Sequence, residues 1–134
     1  MLIIKLMFKF FEKKSWLSWL IVIIIAGIIF YISSLTFKPS PYLGWGFQTI
    51  LYHFFAFFWL AFFLMLALIK GKRKNLFLPA LLIIIIYAVS DEIHQLFVPG
   101  RVCSFADFLI DSAGILFSSF LYILSFKHQN STRL

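Results

Sequence analysis

Four apolar segments, each close to the length that crosses a lipid bilayer, constrain this chain more than any other feature. They cover residues 16–35, 48–69, 76–98 and 104–126. About 20 consecutive apolar residues span a hydrocarbon core as a helix, which satisfies its own backbone hydrogen bonds. At 63% hydrophobic residues, the chain is also more apolar than a typical soluble domain. The sequence therefore predicts an all-α integral membrane bundle of four transmembrane helices.

The distribution of basic residues predicts how this bundle is oriented. Of the 12 Lys and Arg residues, all except Lys38 and Arg101 lie in the N-terminal segment, in the loop at 70–74 or in the C-terminal tail. Because short cytoplasmic loops are enriched in basic residues, both termini are predicted to be cytoplasmic. The same bias explains the net charge of +7 without a nucleic-acid partner, and we predict none.

We expect one membrane domain, at 15–126, with a short segment on either side of it. A polar cytoplasmic tail follows at 127–134. The N-terminal segment, 1–14, carries three lysines at intervals of four, which would give a helix one basic stripe and one apolar face. It is predicted either to lie as a short helix among the lipid headgroups or to extend the first span.

Polar residues that are far apart in the sequence are predicted to meet near the outer face of the membrane. They occupy the outer ends of all four spans and the turn between the last two. These residues are Ser33, Ser34, His53, Asp91, Glu92, His94, Gln95, Arg101, Asp107 and Asp111. An ionisable side chain inside a membrane segment is costly and is read as functional by default. This polar layer is therefore the candidate site.

Local signals predict that spans three and four are antiparallel neighbours. Pro99-Gly100 is typical of the centre of a type II turn, and Ser104 is a predicted N-cap of the fourth span. Farther along that span, Gly114 and Ser118 form a small-xxx-small pair, which lets another helix approach closely.

The charges of the polar layer are unbalanced. Asp91, His94 and Gln95 share one face of the third span, with Glu92 on its flank. Four carboxylates accompany Arg101, which can hold one of them bidentately. The remaining acids need hydrogen bonds, protonation or a bound cation. This surplus of acid favours a functional site over a single buried salt bridge.

The stretch 91–114 resembles the VanZ-like membrane family. The family pattern is an Asp-Glu pair, a His or another residue followed by Gln, a Gly-Arg turn, an Asp, and an Asn shortly before a Gly. The corresponding residues are Asp91, Glu92, His94, Gln95, Gly100, Arg101, Asp107, Asp111 and Gly114. The resemblance extends over residues 32–124 and includes Ser33, Ser34 and His53. The sequence departs from the pattern at Asp111, where Asn is expected, and this adds a negative charge.

The resemblance implies a multi-pass protein of the cell membrane with a role in the cell envelope. The family takes its name from members linked to teicoplanin resistance. The implied partners are membrane lipids, a lipid-linked envelope precursor or a lipoglycopeptide. The resemblance does not imply a molecular activity.

Two functional hypotheses follow for the polar layer. In a binding role, Arg101, Lys38 and His53 would engage a phosphate or anionic headgroup, and the ligand-binding set would also include Gln95, Asp107 and Asp111. In an enzyme, Glu92 or Asp91 would act as general base on a lipid-linked phosphate or sugar, with His94 and His53 moving protons. No nucleophile motif such as G-x-S-x-G is present.

Two further readings stay open for the same residues. Asp91 and His94 have the i, i+3 carboxylate–histidine spacing of helical metal sites. Asp107, Asp111 and His53 could complete the ligand set. Only one such pair occurs and H-E-x-x-H is absent, so neither a metal nor a cofactor is predicted. Alternatively, the acidic residues and Arg101 form a purely structural network that fixes how the helices pack.

Overall fold

A computed structural model describes residues 6, 8, 10, 11, 13–36, 46–70 and 72–131, with side chains up to residue 125. This part of the chain contains four long α-helices and no strand. They are α1 (Ser15–Ser33), α2 (Phe47–Ile69), α3 (Phe77–Gln95) and α4 (Phe105–Ser131), with a 3-10 helix at Lys74–Leu76. Each long helix could cross a membrane by length and composition, which confirms the predicted all-α fold. Lys5, Lys9, Lys38 and residues 132–134 lie outside the described residues.

The connection between α3 and α4 is the predicted tight turn. The amide of Arg101 donates to the carbonyl of Val98 at 3.1 Å, and Gly100 has a φ of 81°, as a type II turn requires. The third span ends at Gln95 rather than at residue 98: Pro99 has no N–H to donate to the carbonyl of Gln95, and that carbonyl instead accepts from the amide of Val98 at 3.1 Å. α4 begins directly after Ser104, whose Oγ accepts from the amide of Asp107 at 3.3 Å. The predicted N-cap is confirmed.

Helices α2 and α4 approach each other closely through the predicted small residues. A Cβ built at Gly114 would collide with the carbonyl oxygen of Phe54 and would lie 3.2 Å from the amide nitrogen of Phe58. Ser118, one turn farther along α4, is fully buried. Only glycine fits at position 114, so the close approach depends on this residue.

The exterior of the bundle is apolar. In the isoleucine-rich part of α3, Leu82 and Ile83 are each 50% exposed and Ile86 is 66% exposed, whereas Ile84 is buried in the core. Such a surface is unfavourable in water, whereas lipid tails solvate it without cost. The stretch therefore contributes to the core through Ile84 and leaves Leu82, Ile83 and Ile86 on the apolar exterior.

The N-terminal segment packs toward the end of the bundle that lies opposite the polar layer. Its described residues are helical up to a turn at Lys14, where φ is −102° and ψ is 57°. Phe8 is buried, and its ring centroid lies 5.3 Å from that of Phe62 on α2 and 6.0 Å from that of Tyr122 on α4. The turn separates this segment from α1, and its placement among headgroups stays a prediction.

Candidate functional site

The predicted polar residues meet at the end of the bundle where α1 and α3 end and α2 and α4 begin. They divide into two clusters, because the polar side chains of α3 point toward two different neighbours. The serine cluster consists of Ser33, Ser34, Asp91, His94 and Gln95, between α1 and α3. The His53 cluster consists of His53, Glu92, Asp107 and Asp111, between α2, α3 and α4.

In the serine cluster, hydroxyl and amide groups satisfy the buried carboxylate. Ser33 Oγ donates to Asp91 Oδ1 at 2.6 Å, and Gln95 Nε2 donates to Asp91 Oδ2 at 3.3 Å. Ser34 Oγ lies 3.0 Å from His94 Nε2. Both oxygens of Asp91 are therefore hydrogen-bonded, and the face that α3 was predicted to form is directed at the two serines of α1.

Arg101 fastens the α3–α4 turn to the C-terminal end of α1. Its guanidinium donates to the carbonyl of Ile32 at 2.7 Å and to that of Leu35 at 3.1 Å. Ile32 lies in the last turn of α1 and Leu35 lies just beyond that helix, where a cation is favourable because of the helix dipole. Arg101 also interacts electrostatically with Asp107. Two of the partners of Arg101 are therefore main-chain oxygens, which the sequence argument did not consider.

The His53 cluster contains a buried pair of histidine and aspartate. His53 Nδ1 lies 3.0 Å from Asp111 Oδ1, and the two side chains are 4% and 0% exposed. Glu92 approaches from α3, and its Oε2 accepts from the backbone amide of Ser104 at 2.7 Å. One ligand atom each of His53, Glu92 and Asp111 lies within 4.8 Å of the other two. Glu92 thus belongs to a different environment from its sequence neighbour Asp91.

Three carboxylate oxygens of this cluster are buried without a hydrogen-bond partner among the described residues. They are Glu92 Oε1, Asp107 Oδ1 and Asp111 Oδ2, on side chains that are 4%, 8% and 0% exposed. A buried polar atom without a partner typically costs about 1–3 kcal/mol. Most such atoms in folded proteins are satisfied, so three of them in one cluster need an explanation.

Tyr52 is a site residue that the sequence analysis missed. Its hydroxyl is buried and has no hydrogen-bond partner within the described part of the chain. It interacts electrostatically with Asp91, Arg101 and Asp111, so it lies between the two clusters, and its ring stands edge-on to that of His53 at 5.5 Å. Its position beside His53 in the first turns of the second span was the signal that could have identified it.

Comparison with known proteins agrees with the sequence pattern and the fold. The model of the VanZ/LLP1 family matches residues 1–126. The chain belongs to the VanZ/LLP1 family. No curated protein and no solved structure matches the chain.

Within this VanZ/LLP1 chain, the residue that departs from the sequence pattern has its own partner. Asp111 stands where Asn is expected, and it is the carboxylate that pairs with His53. An imidazole that carries a proton can compensate a buried carboxylate, whereas it cannot gain an ion pair from an amide. The additional negative charge is therefore placed beside a group that can balance it.

Proposed function

We propose that this VanZ/LLP1 protein acts in the cell envelope by binding the polar head of a membrane lipid or lipid-linked precursor at the outer leaflet of the cell membrane. The proposal rests on the three buried carboxylate oxygens that have no hydrogen-bond partner among the residues that the structure describes. A headgroup hydroxyl or amine would donate the hydrogen bonds that Glu92, Asp107 and Asp111 lack. The outer location follows from the bias of lysine and arginine between the loops.

The arrangement of the cations determines what kind of ligand group the site recognises. Arg101 already donates to the carbonyls of Ile32 and Leu35, at and just beyond the end of α1, and His53 faces Asp111. The oxygens left without partners belong to acids, so the site favours groups that donate hydrogen bonds. In the proposed complex, Arg101 and His53 hold the acids in place, and the acids contact the ligand.

Native mass spectrometry of the protein with its co-purified lipids tests the binding proposal. Glu92→Gln removes an unpartnered carboxylate oxygen at nearly constant volume. We expect the amount of lipid that this variant retains to be lower than that of the wild type by about 10-fold or more. The control is Glu12→Gln, the same change at the one acidic residue outside 91–111. Equal lipid retention by both variants would contradict the proposal.

A cellular assay tests the envelope role that the family name implies. Cells expressing the wild type at matched membrane levels are expected to be less susceptible to teicoplanin than cells expressing Glu92→Gln. If both proteins protect cells equally, Glu92 is dispensable and the His53 cluster is structural.

A second candidate function is acid–base catalysis on a lipid-linked phosphate or sugar. It is favoured by the 3.0 Å contact between His53 and Asp111, since a carboxylate that orients an imidazole is a common arrangement of a general base. Glu92 is a better acid–base candidate than Asp91, because both oxygens of Asp91 already accept hydrogen bonds. Catalysis by Glu92 predicts that Glu92→Gln changes the envelope-lipid profile and that Asp91→Asn does not. An unaltered profile in Glu92→Gln would exclude it.

A further inference from the structure

The structure assigns a binding site for a divalent cation such as zinc to His53, Glu92 and Asp111. One ring nitrogen and two carboxylate oxygens, one from each residue, lie within 4.8 Å of one another. They come from α2, α3 and α4, so the fold rather than a local sequence motif brings them together. One imidazole and two carboxylates form a donor set that zinc accepts, and three protein ligands leave one tetrahedral position open.

The distances are close to those of a bound metal. Ligands about 2.1 Å from a tetrahedral zinc ion are separated from each other by roughly 3.4 Å. The contact from His53 to Asp111 is already 3.0 Å, and the longest separation in the group is at most 4.8 Å. Side-chain shifts of about 1 Å would therefore bring the three ligand atoms to the separations expected around a zinc ion, without movement of a helix.

Unpartnered oxygens provide an independent reason to place a cation here. Glu92 Oε1 and Asp111 Oδ2 are buried and lack hydrogen-bond partners among the described residues. The Oδ1 of Asp107 is likewise buried and unpartnered, and Asp107 interacts electrostatically with both His53 and Glu92. A cation at the centre of the group would give Glu92 and Asp111 the positive partner that their unpartnered oxygens lack.

The charges also balance. The three ligands, two ionised carboxylates and one neutral imidazole, carry a charge of −2, which a divalent cation neutralises, and a buried charge is tolerated when it is paired or coordinates a metal. Asp107 is outside this ligand set, and Arg101 interacts electrostatically with it. Asp91 is outside the group, since Ser33 and Gln95 satisfy its two oxygens. The carboxylate of Asp111, which replaces the Asn of the family pattern, completes the donor set.

Titration of the purified full-length chain with ZnCl₂ in detergent, after removal of metals by a chelator, tests this assignment. We expect saturable binding of one Zn²⁺ per chain by calorimetry, together with a rise in the thermal unfolding midpoint. Glu92→Gln and Asp111→Asn should each weaken binding about 100-fold. Asp91→Asn removes the same charge from the same end of the bundle without removing a ligand, so its zinc affinity should stay within about 3-fold of the wild type.

The wild-type titration alone can overturn the assignment, so it does not depend on whether every variant folds. Absence of saturable zinc binding below a Kd of about 100 µM would refute it. Equal weakening by Asp91→Asn and Asp111→Asn would also refute it, because that result would reflect the general charge of the polar layer. The titration contains no added lipid, so its failure is distinguishable from failure of the lipid-binding proposal.

Discussion

Replacing Gly114 by alanine tests the helix contact that holds His53 against Asp111. The new Cβ would collide with the carbonyl oxygen of Phe54 and lie 3.2 Å from the amide nitrogen of Phe58. Both are main-chain atoms of α2 and cannot rotate away, so α2 and α4 must separate. Overpacking of this kind costs up to about 3 kcal/mol, and the higher helix propensity of alanine returns about 1 kcal/mol. The expected net loss is about 2 kcal/mol, or roughly a 30-fold lower folding equilibrium constant.

Gly27→Ala is a matched control for this substitution. Gly27 lies within α1, and a Cβ built there meets no atom within 4 Å. Only the gain in helix propensity applies, so the free energy of unfolding of this variant should equal that of the wild type or exceed it by up to about 1 kcal/mol. Reversible unfolding in detergent, followed by circular dichroism, should separate the two variants by about 3 kcal/mol, the sum of the two effects. Equal stability of Gly114→Ala and Gly27→Ala would show that α2 and α4 are not in tight contact.

Two further predictions concern the serine cluster and the orientation of the bundle. Ser33→Ala should destabilise the protein by about 1–3 kcal/mol, because it removes a hydrogen bond of 2.6 Å from the buried carboxylate of Asp91. Ser34→Ala should lower the free energy of unfolding by a smaller amount, because Ser34 is more exposed and its hydroxyl donates to the carbonyl of Phe30 in its own helix. A larger loss of stability for Ser34→Ala in the same unfolding assay would contradict this ranking. Cys103, the only cysteine of the sequence, is exposed in the α3–α4 turn, so a membrane-impermeant maleimide should label it in intact cells. Lys72→Cys in a Cys103→Ser background should react only after permeabilisation, and the reverse pattern would overturn the orientation with cytoplasmic termini.

The sequence predicts that the polar residues lie at one end of the bundle, but it does not predict which of these residues contact each other. The apolar spans fix how far each polar residue lies from a helix end, so the meeting of Ser33 with Asp91, and of His53 with Asp111, at one end of the bundle was predictable. Helix periodicity placed Glu92 on the flank of the face that carries Asp91, and in the structure the two residues have different partners. It cannot say which neighbouring helix a face meets, because the rotation of each helix about its axis is set by packing, such as the contact at Gly114.

The choice of partner by Arg101 shows the same limit of sequence reasoning. Charge counting paired Arg101 with a carboxylate, because the polar layer contains four acids. The type II turn places its guanidinium beside the end of α1, where it donates to the main-chain carbonyls of Ile32 and Leu35. Those carbonyls are not visible in the sequence as a polar signal, since every helix end has them.

The distribution of satisfied and unsatisfied oxygens distinguishes a functional site from a purely structural network. Around Asp91, Ser33 and Gln95 leave no oxygen without a partner, as expected of a network that only fixes helix packing. Around His53, three carboxylate oxygens lack partners within the described residues, at a combined cost of roughly 3–9 kcal/mol. A protein with a typical stability of about 5–15 kcal/mol would gain by replacing such acids with apolar residues. Under the two binding proposals, a headgroup or a cation supplies the missing partners, and failure of both binding experiments would leave a packing role for the His53 cluster.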